Sequence, residues 1–315
     1  MKRILVVLCV FYIVSISLLS CGDDNGTEPE KKPVVDLTAY GLVSVPATSG
    51  FSMGYTGVGL PTPIHTVSLD SFQIAKHEVA YALWVEVRTW GTAHGYTFAN
   101  PGQQGSHVAT STAQHPVTKV SWQDCIAWCN AASEKEGLAP VYYNAGLTHT
   151  SANVYRNSST GGAIGDSDVV WSSTGFRLLT EAEWEYAARY IDGATLVPGD
   201  QHCGYNIDPV VGNCAWYSVN SGDSTHAVGE KQANSLGLKD MSGNAWEWCW
   251  DWYGEYTSDA QDNPHGPSSG TRRVLRSGSF HYFANDCRSA VRAYEDPSPA
   301  EVNRDDGFRI GRTVL

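Results

Sequence analysis

The stretch Gly243-Asn244-Ala245-Trp246-Glu247-Trp248-Cys249-Trp250-Asp251-Trp252-Tyr253 constrains this chain more than any other. It packs four tryptophans, two carboxylates and a cysteine into eleven residues, after the turn signal Asp240-Met241-Ser242-Gly243. Aromatic side chains carry the largest buried area per residue, so such density marks the middle of a core. An acid inside that core is costly unless it is paired. Either a bound cation or a buried arginine answers the need, and the run alone does not choose between them.

The chain has 315 residues, enough for one large domain or two ordinary ones. Its 31 glycines and 11 tryptophans suit a loop-heavy fold with an aromatic core. The net charge of −12, with no run of lysine or arginine, argues against nucleic acid as a partner, because phosphate binding needs a basic patch.

The N-terminus speaks to compartment. Lys2 and Arg3 precede an almost unbroken apolar stretch, residues 4–19, which ends in Leu18-Leu19-Ser20-Cys21. Length alone also suits a short membrane anchor. The ending resembles the lipobox of bacterial lipoproteins, which implies cleavage before Cys21 and lipidation of its sulfur. The expected organisation is a signal peptide at residues 1–20, a polar, proline-bearing tether at 21–40 and one domain at 41–315. The implied location is the bacterial cell envelope, lipid-anchored at the outer membrane and either periplasmic or surface-exposed. Without Cys9 and Cys21, six cysteines remain, an even number that suggests disulfides in an exported protein. Spacing leaves the connectivity open. Cys203 with Cys214, closing a short loop, is the first expected pair, and Cys249 with Cys287 the second. Cys125 and Cys129, four apart on one expected helix, are poorly placed for a bridge.

Residues 43–53 and 63–72 read as strands and residues 78–90 as a helix. Residues 91–113 read as a loop and residues 140–172 as short hairpins. Ser121 with Asp124 opens a helix that runs to Glu136 and stops at Gly137, and Thr180 with Glu183 forms a capping box before a second. The acids Glu181 and Glu183 suit the helix dipole, and are read as a cap rather than as catalysts. Arginines beside apolar residues recur near the C-terminus, at Arg273, Arg276, Arg288, Arg292, Arg309 and Arg312. They are candidate partners for the acids of the tryptophan run.

Four motifs, in order, carry a resemblance to the formylglycine-generating enzyme family, also called the sulfatase-modifying factor domain. They are Gly175-Phe176-Arg177-Leu178 with Thr180-Glu181-Ala182-Glu183-Trp184-Glu185-Tyr186-Ala187; Gly237-Leu238 through Trp248; Arg276-Ser277-Gly278-Ser279-Phe280; and Gly307-Phe308-Arg309. The resemblance spans roughly residues 40–315 and implies an α+β, irregular C-type-lectin-like fold with little regular secondary structure. It implies a cleft lined by Ser279 and Trp246. It also implies calcium, with side-chain oxygens from Asp240 and Glu247 and backbone carbonyls from Gly243 and Ala245, since Ca²⁺ takes hard oxygen ligands. A second family site would fall in Asn213 to Asp223, beginning at Asn213 and Cys214.

Catalytic members oxidise a sulfatase cysteine to formylglycine with O₂ and copper held by two thiolates, soft ligands suited to Cu(I). The corresponding stretch here is His281-Tyr282-Phe283-Ala284-Asn285-Asp286-Cys287, with a single cysteine. Copper is therefore not expected. The resemblance then implies a lipid-anchored, non-oxidising binding or assembly module with an envelope protein or glycan as its partner. The alternative is a metal-dependent envelope oxidoreductase of the same family, marked by His, Asp or Glu converging beside Ser279 and Trp246. A formylglycine generator with an unrecognised cysteine pair is the third reading.

Overall fold

The computed structural model describes residues 37–314, apart from residues 58–60, 108, 161, 194, 203–210 and 301. The expected signal peptide, Cys21, Cys203 and most of the tether lie outside these residues. The described residues belong to one compact unit, Val35–Leu315. In chain order its strands and helices are β1 (Leu42–Val45), β2 (Thr48–Met53), β3 (His65–Leu69), β4 (Phe72–Ala75), α1 (Tyr81–Ala93), β5 (Gln103–Gln104), β6 (Val117–Thr118), α2 (Trp122–Lys135), β7 (Phe176–Leu178), α3 (Glu181–Arg189), β8 (Tyr190–Asp192), β9 (Thr195–Leu196), β10 (Trp246–Trp252), β11 (Gln261–Asp262), β12 (Arg273–Arg276), β13 (Ala293–Glu295), β14 (Asp306–Phe308) and β15 (Ile310–Thr313). These short elements, joined by long irregular connections, make the mixed α+β fold expected.

The tryptophan run is β10, and every residue of it is buried. It lies inside the sheet ordered β13-β12-β10-β14, antiparallel to β12 and parallel to β14. Successive strand residues point to opposite faces, so the run separates into an indole face and an acid face. Trp246, Trp248 and Trp250 enter the core built on α1 and α2. There Trp250 lies 5.3 Å from Trp122, and the Trp248 and Trp122 indoles donate to the carbonyls of Val120 and Cys249. Cys249 enters the second core with Leu179, Ala182 and Trp184. On that same face Glu247 accepts from the Trp184 indole at 2.6 Å, and Asp251 accepts from the Glu181 backbone N–H at 2.7 Å.

Both expected helix starts are real. The Ser121 and Thr180 hydroxyls each accept the backbone N–H three residues on, and the Asp124 and Glu183 carboxylates close both boxes. In α3 the acids then do more than cap. Arg276 reaches Glu181 at 2.8 Å and Glu185 at 3.0 Å, while Arg292 grips Glu181 through Nε at 2.7 Å and Nη2 at 2.6 Å. A second sheet, ordered β1-β4-β15-β7, holds the first and last described strands, and a third is ordered β11-β3-β2.

Several expectations need correction. Pro46 interrupts residues 43–53, which form two strands, β1 and β2. Residues 140–172 form isolated bridges, Tyr142 with Val169 and Tyr143 with Val154, rather than hairpins. The loop 91–113 contains the last turn of α1 and strand β5. Tyr40, assigned to the tether, belongs to the domain: it is buried, stacks 4.3 Å from Phe176 and donates to Glu136. Cys249 and Cys287 are not bridged but free, and Cys125 and Cys129 are free as well. Cys249 fills the second core, whereas Cys287 lies against Gly278, where an added Cβ would come within 2.7 Å of its sulfur. Cys214 is not among the free thiols, and its expected partner Cys203 is not described.

Arg273 and Arg276, on one strand, make different demands. Arg276 holds two buried carboxylates. Arg273 pairs with none and lies in a cage of indoles, 3.5 Å from Trp252 and 3.8 Å from Trp122, donating to the carbonyls of Trp250 and Ile164. Arg276→Met leaves Glu181 to Arg292 and Glu185 to Arg189 but removes three buried hydrogen bonds, two of them to carboxylates, and is expected to cost about 3 kcal/mol. Arg273→Met removes backbone hydrogen bonds but leaves an apolar chain among indoles, at about 1–2 kcal/mol. Urea unfolding of the two variants checks the order.

Candidate functional site

The turn before β10 is forced by its backbone. Asp240, Gly243 and Asn244 all have positive φ, and a Cβ on Gly243 would lie 2.1 Å from the Trp216 carbonyl oxygen. Asn244, which the sequence reading did not single out, fastens this turn to three segments. It donates to Glu78 at 2.9 Å, accepts from the His226 N–H at 2.9 Å, and its carbonyl accepts from Phe280 at 3.0 Å.

The oxygens expected to hold calcium are already engaged. Arg309 donates from Nη2 to Glu247 Oε1 at 2.7 Å and from Nε to Oε2 at 2.9 Å, and Trp184 takes Oε2 as well. Both Glu247 and Arg309 are fully buried. The same guanidinium donates to the backbone carbonyls of Ala75 and Lys239. The Gly243 carbonyl accepts from the Ser277 hydroxyl at 3.0 Å, and Asp240 Oδ2 accepts from Gly229 at 2.6 Å. Asp240 Oδ1 has no partner among the described residues, and neither do the nearby Glu78 Oε2 and Ser242 Oγ. A calcium ion needs six to eight oxygens, and a guanidinium already holds the carboxylate, so this donor set fits Arg309 rather than Ca²⁺. Burial, with like charges on Asp240 and Glu247 beside it, also raises the Glu78 carboxyl well above its ordinary range. Asn213 ends a 3-10 turn, Val211–Asn213, with its carbonyl accepting from Gln232, and Cys214 follows it, buried. Among the described residues no group of three or more His, Cys, Asp or Glu is arranged to hold a metal ion.

Ser279 and Trp246 do come together. The Ser279 hydroxyl donates to Asp305 at 2.7 Å, and the Asp305 carbonyl accepts from the Trp246 N–H at 2.8 Å. Tyr282 stands edge-on to Trp246 at 5.3 Å, so an aromatic of the chain's own loop packs beside the pair. Cys287, the only cysteine of that loop, is fully buried, and burial pushes its thiol up to about 12. The Cys125, Cys129 and Cys249 thiols are raised by burial too. Thiolates are the nucleophiles and metal ligands, so these are structural sulfurs.

Beyond the cleft the same loop is open. Phe283 is 71% and Tyr282 42% exposed, and Val219, 75% exposed, follows Ser218, whose N–H donates to the Tyr282 carbonyl. Beside them Asp223 binds His281 at 2.7 Å and Arg304 at 3.1 Å, with His107 at 3.9 Å. The hydrogen bond from His281, reinforced by Arg304, holds the Asp223 carboxyl below its usual range. Arg304 also lies 3.1 Å from the same His281 nitrogen. A cation thus already sits between imidazole and carboxylate, which makes this a charged surface patch and not a metal triad. Sequence named Asp223 only as the end of the expected second site and gave no sign of its meeting with His281 and Arg304, which lie far apart in the chain.

Asp306, next to the cleft, gives a pH signature. Burial and neighbouring Asp305 push it up to about 8 from an ordinary 3.8. Between those values the folded chain keeps a proton that the unfolded chain has released, so rising pH disfavours folding across this window. Asp306→Asn removes the dependence. Relative to the variant, the native chain is expected to lose about 1 kcal/mol or more between pH 5 and pH 8, read from urea midpoints at the two pH values.

Comparison with known proteins agrees with this architecture. A family model described as "Sulfatase-modifying factor enzyme 1-like domain" matches residues 27–314. The chain is 30% identical over 265 residues to "Chaperone protein LppX" of Paenibacillus barcinonensis, covering 78% of this chain and 82% of that one. It is 30% identical over 287 residues to the formylglycine-generating enzyme of Streptomyces coelicolor, covering 82% and 83%. The solved structure of "Treponema denticola variable protein 1" superposes with a TM-score of 0.68 at 33% identity, covering 86% of this chain and 94% of that one. The chain belongs to the sulfatase-modifying factor, or formylglycine-generating enzyme-like, family.

Proposed function

We propose that this chain is a lipid-anchored binding or assembly module of the bacterial cell envelope that has kept the family's fold without its oxidation chemistry. The observation that carries this reading is the loop of residues 279–287. Its single cysteine is buried and held as a thiol, and its aromatics are displayed instead of a thiol pair. Copper-dependent oxidation needs two accessible thiolates, and this loop supplies none. An exposed aromatic patch rimmed by charge is what a recognition surface looks like. Tyrosine and arginine, which dominate binding energy at interfaces, are both present as Tyr282 and Arg304. The fitting partner is a protein or glycan of the envelope. Residues 18–21 support the anchor through their resemblance to a lipobox. The relative named as a chaperone protein is consistent with a binding role.

The test separates fold from surface. Tyr282→Ala with Phe283→Ala is expected to shift stability by no more than about 1 kcal/mol, because both rings are substantially exposed. The double variant should also lose retention on immobilised envelope protein and glycan fractions by about tenfold or more. Equal retention of both proteins contradicts the reading. So does conversion of a cysteine-bearing sulfatase peptide to formylglycine by the soluble domain with copper, reductant and O₂.

A further inference from the structure

On the acid face of β10, away from the loop just described, the end of the strand, the first turn of α3 and loop 254–267 enclose a cavity of about 400 Å³. Its walls are largely apolar, from Met53, Ala182, Tyr256 and Pro267, and three buried polar groups, His65, Glu181 and Asp251, also line it, with Arg292 lying over the Tyr256 ring. A mostly apolar cavity of this size with a few converging polar groups is the usual form of a small-molecule site.

Asp251 is 96% buried by the measure of its 4% exposure, and only half of its carboxyl is used. Oδ2 accepts from the Glu181 backbone N–H at 2.7 Å, whereas Oδ1 has no hydrogen-bond partner among the described residues. Among the described residues it forms no direct ion pair, although the charges of Arg292 and Arg273 reach it. Its neighbour Glu181 holds Arg276 and Arg292, and the remaining Arg292 donor, Nη1, goes to the Gly254 carbonyl. Arg276 and Arg292 are thus engaged by Glu181, while Arg273, whose charge also reaches Asp251, donates to the carbonyls of Trp250 and Ile164. Burial and the Glu181 charge push the Asp251 carboxyl up to about 8 despite the opposing pull of Arg292 and Arg273, as expected of a buried acid without a direct ion-pair partner. Exposed Glu255 adds a second negative group at the rim.

We propose that this cavity binds a small organic cation with an apolar body, an alkyl- or arylamine, whose ammonium pairs with the free oxygen of Asp251 while its hydrocarbon lies against Met53, Ala182 and Tyr256. The backbone anchor on Oδ2 fixes the carboxyl and presents Oδ1 to the ligand. The site is independent of the 279–287 surface, and its failure leaves the proposed function untouched.

The probe is benzylamine, with benzyl alcohol as its neutral counterpart of equal shape, titrated into the domain and followed by protein NMR. Saturable binding of benzylamine, with shifts at Met53, Ala182 and Tyr256, is expected, and benzyl alcohol should bind at least about tenfold more weakly. Asp251→Asn keeps an acceptor for the Glu181 N–H and should lower benzylamine affinity about tenfold. Equal binding of amine and alcohol, undiminished binding to Asp251→Asn, shifts confined to other regions, or no saturable binding each overturns the proposal. Should the variant not fold, the amine–alcohol comparison and the shift map on the native chain still decide it.

Discussion

The ion pair between Glu247 and Arg309 is the constraint on which the rest of the molecule turns. A carboxylate at the centre of a tryptophan-rich strand has no water to solvate it, and an unpaired charge there is far costlier than a paired one. Arg309 answers it from β15's approach to the opposite sheet, and in the same stroke binds the carbonyls of Ala75 and Lys239. One guanidinium therefore joins the C-terminal strands, the turn before β10 and strand β4. The pattern repeats one layer away, where Arg276 and Arg292 converge on Glu181 and Glu185. With so little regular secondary structure, these buried pairs fix the geometry that longer helices and sheets fix in other folds.

Alternation along β10 explains why the run contains both its residue types. Indoles on one face fill the core under α1 and α2, and acids on the other meet α3 and the arginines. The run's composition showed that its acids needed partners, and the arginine-bearing C-terminal segments named the candidates. Which arginine met which acid was not legible, because Glu247 and Arg309 are brought together by strand order, not by spacing. The capping boxes at Ser121 and Thr180 were legible because they are local. The motifs gave the family for the same reason, each being a contiguous string. The Cys249–Cys287 pairing failed because an even count carries no information about which face of a strand a sulfur occupies. Tyr40 was misplaced because a single aromatic after a polar tether gives no periodic signal.

The candidate sites divide along the same line. Ser279 and Trp246 were placed by motif and do meet, through Asp305. The exposed patch of Tyr282, Phe283, Asp223 and Arg304 arises from three segments that only the fold assembles. There Tyr282 packs edge-on to Trp246 while leaving part of its ring exposed, and Cys287 is sealed in the core. The scaffold holds that surface rigidly, since Asn244 ties the turn before β10 to Phe280 and His226 from beneath.

The central claim is that Arg309, not a bound metal, supplies the positive charge for Glu247 of β10. Native mass spectrometry of the purified domain in excess calcium, paired with thermal unfolding with and without chelator, tests it directly. The mass of the bare polypeptide and an unchanged Tm are predicted. One calcium retained per chain, with a Tm that falls on chelation, would contradict the account.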